Sequence, residues 1–134
     1  MKYFKNTYYG KTVLITGHTG FKGSWLTIWL SILGAKVVGI SEEIPTTPSN
    51  YETILSRLKI IDLRIDIRDK IAICDAVIQC QPDFVFHLAA QALVRPSYDS
   101  PLETFTTNAI GTATLLEALR GLSKPVVAIM ITSD

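Results

Sequence analysis

The sequence predicts an α/β fold, a doubly wound parallel sheet of about five strands. Three observations carry that prediction: short Val- and Ile-rich runs apolar on consecutive residues, segments of helical period between them, and regular alternation of the two. A strand covered by helices on both faces has no polar side to show, so it reads as a continuous apolar run. Alternation of such runs with helices is the pattern of a parallel sheet with right-handed crossovers.

The first run, Val13-Leu14-Ile15, leads into a glycine-rich turn and then a helical segment over residues 21–33. Phe21, Trp25, Ile28, Trp29 and Ile32 recur there at spacings of three and four, the spacing of an apolar helix face. Gly34 stands where a helix C-cap glycine belongs. Val37-Val38-Gly39-Ile40 is the second strand, followed by a Pro- and Thr-bearing surface loop over 42–50 and a short helix over 51–58. Residues 60–67 form the third strand. A helix over 69–81 follows, with Ile71, Cys74, Ala76, Val77, Ile78 and Cys80 as a broad apolar face, and Pro82 stops it. Residues 84–90 are the fourth strand. The helix over 102–122 carries Phe105, Ala109, Thr112, Ala113, Leu116 and Leu119 on one side, and 126–131 is the fifth strand.

A chain of 134 residues is one domain or part of one. Hydrophobic residues at 48% against charged residues at 19% give enough apolar surface for a core and exclude disorder. The balance of 13 Lys+Arg against 12 Asp+Glu, with no long block of one sign, argues against a nucleic-acid or membrane partner. Cys74 and Cys80 are too few for a disulfide framework and sit inside a helix, so inert thiols and no metal site are expected. The N-terminus has no apolar signal-peptide core, and the most apolar stretch, 25–40, is broken by Gly34 and Lys36. A soluble, cytoplasmic domain is the expectation.

The stretch Thr16-Gly17-His18-Thr19-Gly20-Phe21-Lys22-Gly23 joins the first strand to the first helix. Its G-x-x-G-x-x-G spacing is a relative of the dinucleotide fingerprint G-x-G-x-x-G. Small residues let the chain turn sharply, bring its amides close to a pyrophosphate, and pack the helix on the strand. The helix N-terminus then offers free N–H groups and partial positive charge. A P-loop reading fails because Lys22-Gly23-Ser24 has the Lys and Gly in the wrong order. An acidic residue about 20 positions on often meets the adenosine ribose, and Glu42 fits, with Ser41 and Glu43 competing. No Arg lies near these in sequence to accept a 2′-phosphate, so NAD is expected over NADP. His18 either donates to a phosphate or follows from loop geometry, and His87 in its apolar strand reads as a satisfied core histidine.

These residues, with Ile65-Asp66-Ile67-Arg68-Asp69, Phe86-His87-Leu88-Ala89-Ala90-Gln91, Leu93-Val94-Arg95, Ser97-Tyr98, Pro101-Leu102-Glu103-Thr104-Phe105, Asn108, Gly111-Thr112 and Thr132-Ser133-Asp134, resemble a known family. It is the extended short-chain dehydrogenase/reductase family of NAD-dependent sugar-nucleotide epimerases and dehydratases. Within it, the G-H-T-G-F-K-G-S-W run with L-V-R and T-S-D resembles the CDP-glucose 4,6-dehydratases, over their N-terminal portion. The resemblance implies a Rossmann domain in which Gly17, Thr19, Gly20, Phe21, Lys22 and Gly23 cradle the NAD pyrophosphate. It implies adenine contacts from Asp66 and Ile67, and a nicotinamide side lined by Leu88, Ala89, Ala90 and Gln91. Thr107 matches a cofactor contact and Asn108 a structural position, while Arg95 is a candidate for the phosphates of the sugar nucleotide.

Ser133 and Asp134 correspond to the family's hydroxyl and acid at the end of the fifth strand. Ser133 would hydrogen-bond the substrate C4 oxygen, and Asp134 would act as general acid on the departing C6 hydroxyl. The implied reaction turns CDP-glucose into CDP-4-keto-6-deoxyglucose and water, a lyase step of deoxysugar and lipopolysaccharide synthesis. The family's Tyr-x-x-x-Lys pair is absent: Tyr3, Tyr8, Tyr9, Tyr51 and Tyr98 are followed four residues on by Thr7, Thr12, Val13, Leu55 and Leu102. Residues 1–134 are therefore expected to be a partial NAD-binding domain, inactive alone, without the remaining strands and the sugar-binding domain. Its fifth strand would be an apolar sheet edge that invites self-association. The resemblance further implies a homodimer of the full-length protein, with the 102–122 segment as one contact. A non-catalytic NAD-binding module, or part of another sugar-nucleotide epimerase or reductase, remains an alternative.

Overall fold

Thr12–Thr16 (β1) stands at the centre of a five-stranded, wholly parallel sheet in the computed structural model, which describes residues 3–132. Lys36–Ser41 (β2) and Ile61–Arg64 (β3) lie to one side of it, Phe84–His87 (β4) and Val127–Met130 (β5) to the other, giving the order β3-β2-β1-β4-β5. The register pairs Ile15 with both Gly39 and Phe86, so the carboxyl ends of β1, β2 and β4 come level. Ser133 and Asp134 lie outside the described residues.

Helices Phe21–Ile32 (α1), Asn50–Leu55 (α2), Lys70–Cys80 (α3) and the last helical stretch make the four crossovers. That stretch runs from Val94–Asp99 (α4) through Pro101–Phe105 (α5) and a π-helical turn, Thr106–Ile110, to Gly111–Arg120 (α6). The predicted helix over 102–122 is thus one continuous rod with a π turn inside it, and α4 is an addition the sequence did not signal. Asp69 caps α3 by accepting the Ala72 N–H, and Ser49 caps α2 through the Glu52 N–H, each in the manner of an N-cap oxygen.

Alternation along β1 divides the core between the two sheet faces. Leu14 joins Val38, Ile40, Ile73, Val77, Val85, Leu115 and Ala118 under α3 and α6. Val13 and Ile15 join Leu30 and Val37 on the α1 face, with Tyr8, Phe84 and Phe86 partly buried beside them. Full burial of each such aliphatic side chain contributes about 1.5–3 kcal/mol before entropy is counted.

Two helix faces differ from the sequence expectation. In α1 the buried residues are Gly23, Ser24, Thr27 and Leu30, while Phe21, Trp25, Trp29 and Ile32 are exposed, Phe21 at 73% and Ile32 at 77%. Close approach of α1 to the sheet requires small residues on its inner face, so the bulky stripe turns outward. Gly23 is the tightest point: a Cβ there would lie 2.1 Å from the Gly17 carbonyl oxygen. In α6 the inner face is Gly111, Thr114, Leu115, Ala118 and Leu119, which leaves Phe105, Ala109, Ala113 and Leu116 exposed. Of the predicted side, Leu119 alone is buried and Thr112 half-buried.

The edge strand β5 exposes Val127 and Ala128, and on the α1 face Phe84 and Phe86 of β4 are only partly buried, beside Tyr8 and Leu26. With the outward stripes of α1 and of the α5–α6 rod, this is far more exposed apolar surface than scattered single residues make. The chain is expected to form oligomers in light scattering or sedimentation. A monodisperse monomer at tens of micromolar would contradict this.

Candidate functional site

The chain runs outward from β1 through β2 to β3, then crosses back to β4, which makes β1 and β4 the place where the winding reverses. In open parallel sheets a crevice forms there, beyond the carboxyl ends of the strands. A cleft of about 300 Å³ occupies that position. Its walls come from four connections: the glycine loop after β1, Ser41–Glu43 after β2, residues 65–68 after β3 and residues 88–91 after β4, with Glu103 and Thr107 from the α5–π segment.

The glycine loop continues the sheet before it turns. Gly17 N–H donates to the Ile40 carbonyl at 2.8 Å, and Leu88 N–H to the Thr16 carbonyl at 3.0 Å, so the loop is fastened to both neighbours. Gly17 then takes φ +75°, and a Cβ there would stand 2.8 Å from the Ala89 nitrogen; both facts demand glycine. Gly20 is the N-cap of α1 and offers no side-chain cap. The first-turn amides of Phe21, Lys22 and Gly23 thus have neither an intrahelical acceptor nor a side-chain one, which suits an anionic group.

His18 does not face the cleft; it is fully buried. Its Nδ1 lies 3.0 Å from Ser41 Oγ and its Nε2 3.0 Å from Asp62 Oδ1. The Tyr51 hydroxyl donates to the other Asp62 oxygen at 2.8 Å, and the Tyr51 ring meets the imidazole edge-on. The imidazole lies so close to Gly39 that a Cβ there would come within 2.3 Å of it, which explains a glycine inside a buried strand. Of the two readings of His18, this favours structure over phosphate contact. Burial alone would push Asp62 up, but the Tyr51 hydroxyl, His18 and Arg64 outweigh it and hold the carboxyl below its ordinary value. The Ser41 hydroxyl also accepts from the Thr19 N–H at 3.4 Å, so the network ties the loop to the end of β2.

His87 is likewise buried and satisfied, as expected. Its Nδ1 lies 2.6 Å from Thr16 Oγ1 and its Nε2 2.9 Å from Thr112 Oγ1. Thr112 donates onward to the Asn108 carbonyl, and Thr16 Oγ1 accepts the Ala89 N–H, which fixes His87 as a neutral ring protonated on Nε2. Asn108 then clamps the β4 loop: its Oδ1 accepts the Gln91 N–H at 2.7 Å and its amide donates to the Gln91 carbonyl at 3.0 Å.

Burial lowers the pKa of both His18 and His87 below the ordinary 6.5. The unfolded chain therefore binds protons that the folded chain refuses, and stability rises with pH across that window. The urea midpoint is expected to hold steady above pH 7 and to fall as pH drops through 6.5, the ordinary histidine value. Loss of the Asp62 carboxylate adds to the fall at more acidic pH. Urea titrations in a pH series check this, and a midpoint rising on acidification would refute it.

Of the residues expected around a cofactor, Gly17, Thr19, Gly20, Glu42, Asp66, Ile67, Leu88, Ala89, Ala90, Gln91 and Thr107 all line the cleft. Phe21 and Lys22 are exposed and Gly23 is buried, and none of the three lines the cleft. Arg95 is exposed on α4 and does not line the cleft. Ser41 and Glu43 line it alongside Glu42, with Thr19 Oγ1 donating to the Glu43 carbonyl at 2.6 Å.

One expectation is corrected: an arginine does stand beside Glu42. Arg68 reaches back from the end of β3, its guanidinium bonded to both Asp66 oxygens and 3.7 Å from Glu42, with Glu103 at 3.9 Å. It is distant in sequence but adjacent in space because β3 pairs with β2. The Arg68 contact holds the Asp66 carboxyl below its usual range. Among the described residues no cluster of His, Cys, Asp and Glu is placed to hold a metal ion, and no helix is long and apolar enough to cross a membrane. Burial pushes the Cys80 thiol up to about 11, so it is inert at neutral pH.

The topology, the glycine loop and the cleft above β1 and β4 define a dinucleotide-binding domain of the Rossmann type. The sequence profile of the GDP-mannose 4,6 dehydratase family matches residues 14–134, and the chain belongs to that family. It is 46% identical over 132 residues to CDP-glucose 4,6-dehydratase of Salmonella typhimurium strain LT2, covering 97% of this chain and 36% of that enzyme. GDP-mannose 4,6-dehydratase of Vibrio cholerae El Tor is 35% identical over 124 residues, covering 85% of this chain and 33% of the enzyme. The UDP-glucose 4-epimerase of Thermus thermophilus, solved in complex with NAD, superposes with a TM-score of 0.70 at 33% identity, covering 81% of this chain and 33% of the epimerase. The chain thus spans about a third of the length of the relatives it matches.

Proposed function

We propose that this chain is the cofactor-binding part of an NAD-dependent sugar-nucleotide 4,6-dehydratase whose substrate is CDP-glucose. The observation that carries the reading is the 46% identity to the Salmonella CDP-glucose enzyme along 97% of the chain. The cleft suits the cofactor: uncapped amides at the start of α1 for the pyrophosphate, Glu42 or its neighbours for the ribose, Asp66 and Ile67 for the adenine. Leu88, Ala89, Ala90 and Gln91 would flank the nicotinamide, held by the Asn108 clamp. Bound NAD would supply the acceptor for the hydride from C4 of the glucose and the donor of its return to C6.

The chain's own residues would do the rest of the work available to them. Ser133 would hydrogen-bond the C4 oxygen as it becomes a carbonyl, Asp134 would protonate the departing C6 hydroxyl, and Arg95 would meet the substrate phosphates. The base that takes the C4 hydroxyl proton, a Tyr in the Tyr-x-x-x-Lys pattern, is not in this sequence. The outward stripe Leu102, Phe105, Ala109 and Leu116 suits a homodimer contact of the complete protein. The reaction belongs to deoxysugar and lipopolysaccharide synthesis, in the cytoplasm.

The test is equilibrium titration with NADH, read by nicotinamide fluorescence, followed by CDP-glucose. Saturable NADH binding competed by NAD supports the reading. Failure of a folded chain to bind NADH overturns it.

A further inference from the structure

Beneath the glycine loop a line of four polar groups runs from the cleft wall to the edge strand β3. Thr19 N–H reaches Ser41 Oγ at 3.4 Å, Ser41 Oγ reaches His18 Nδ1 at 3.0 Å, and His18 Nε2 reaches Asp62 Oδ1 at 3.0 Å. The last member fixes the direction of the whole line. Against the pull of burial, the Tyr51 hydroxyl, His18 and Arg64 keep the Asp62 carboxyl ionised. A carboxylate can only accept, so Nε2 carries the ring proton. Burial outweighs the nearby carboxylate and keeps the imidazole neutral, which leaves Nδ1 bare. The Ser41 hydroxyl therefore donates its hydrogen to Nδ1 and offers the loop a lone pair, which the Thr19 N–H takes. The second Asp62 oxygen is engaged separately, accepting from the Tyr51 hydroxyl at 2.8 Å and from Arg64 Nη2 at 2.9 Å. Thr19 stands immediately before Gly20, the N-cap of α1, and is tied a second time through Oγ1 to the Glu43 carbonyl. The entry of the chain into α1, where the uncapped amides lie, hangs on these two bonds.

We propose that Asp62 and His18 are positioning residues of the cofactor site: they set the Ser41 hydroxyl as an acceptor toward Thr19 and so hold the glycine loop in its phosphate-binding shape. The inference rests on the dinucleotide reading above and deepens it. Neither residue lines the cleft; both act through Ser41, which does. Asp62→Asn tests the direction of the line with almost no change of shape. Its amide oxygen is required at the Oδ2 position, where Tyr51 and Arg64 both donate, so its NH2 group must face His18. Nε2 would then accept, and the ring proton would move to Nδ1. That N–H would point at Ser41 Oγ and at the Ile40 carbonyl, the other polar neighbour of the ring. Ser41 would lose the acceptor for its own hydrogen, which would then oppose the Thr19 N–H or turn into the cleft.

The experiment records the nitrogen NMR shifts of the imidazoles and the NADH dissociation constant at neutral pH. It compares the unchanged chain, Asp62→Asn, Ser41→Ala, the two combined, and Tyr51→Phe, with circular dichroism confirming that each is folded. His87, whose ring nitrogens meet Thr16 and Thr112, is the internal reference. In the unchanged chain both rings are expected as the Nε2–H tautomer, and in Asp62→Asn one of them alone should change to Nδ1–H. NADH binding should weaken about fivefold to tenfold in Asp62→Asn, the scale of one lost hydrogen bond. Ser41→Ala should weaken it by about as much, and adding Asp62→Asn should bring no further loss, because the effect of Asp62 passes through Ser41. Tyr51→Phe separates positioning from stability, since it removes a donor from the other Asp62 oxygen. Its urea midpoint should fall, while the tautomer stays and NADH affinity changes by less than about twofold. An Nδ1–H ring at His18 in the unchanged chain, or an unchanged tautomer in Asp62→Asn, would overturn the direction assigned to the line. Additive losses in the combined variant, or a loss in Tyr51→Phe as large as in Asp62→Asn, would overturn the positioning role. Should Asp62→Asn not fold, the tautomer of the unchanged chain and the contrast between Ser41→Ala and Tyr51→Phe decide the matter. If the folded, unchanged chain binds no NADH, the dinucleotide reading fails and the positioning role with it, whereas a failure of the tautomer alone leaves that reading standing.

Discussion

Incubated with CDP-glucose and NAD, the 134-residue chain is expected to release no 4-keto-6-deoxy product above background, even at concentrations where NADH binds. Proton removal by a positioned side chain contributes about a hundredfold to ten-thousandfold to such a step. None of the five tyrosines is followed four residues later by lysine, so no group of this sequence fills that place in the family pattern. Tyr51 is fully buried with its hydroxyl committed to Asp62, and burial pushes its pKa far up. It can serve no substrate. Product formation in a sensitive assay, lost on mutation of Asp134, would show that the chain carries a base of another kind.

Replacing Gly23 by alanine is expected to remove cofactor binding, whereas the same change at Gly20 should be far milder. A Cβ on residue 23 would stand 2.1 Å from the Gly17 carbonyl oxygen and 2.8 Å from the His18 Cα, all backbone that no side chain can yield. The loop must lift from α1. At residue 20 the nearest atom would be the Gly17 oxygen at 3.4 Å, an ordinary contact. Overpacking of this kind costs about 1–3 kcal/mol of stability. Losing two charge-assisted hydrogen bonds to the pyrophosphate would weaken NADH binding about a hundredfold or more. Urea unfolding and NADH titration separate the two effects. Near-normal affinity in folded Gly23→Ala would mean that this loop does not hold the phosphates.

The fold class was legible in the sequence because four of the five strands are dense apolar runs, β3 alternating apolar and charged residues, and the glycine loop falls where β1 meets α1. Faces were harder to read. Periodicity alone makes Phe21, Trp25, Trp29 and Ile32 look like the inner side of α1, yet the helix lies too near the sheet for them, and glycine, serine and threonine go inside. The site was legible wherever its residues sit at strand ends. Arg68 escaped because its neighbourhood with Glu42 exists only through the pairing of β2 with β3. His18, drawn under the loop by Asp62 and Ser41, had one signal that would have placed it: a glycine, Gly39, in the middle of an apolar strand.

The π turn between α5 and α6 carries a consequence for how this segment tolerates length change. Its signature bond runs from the Gly111 N–H to the Thr106 carbonyl, five residues back, so the rod holds one residue more than an α-helix of equal rise. Deleting a single residue between Thr106 and Ile110 would restore an ordinary helix and leave α6 seated on α3. Everything before the deletion would turn by about 100° about the helix axis. Glu103 would then swing off the cleft and the outward stripe would lose its continuity, although no packed core residue had changed. The π turn works as a phase shifter that lets one rod serve the cofactor wall and the core.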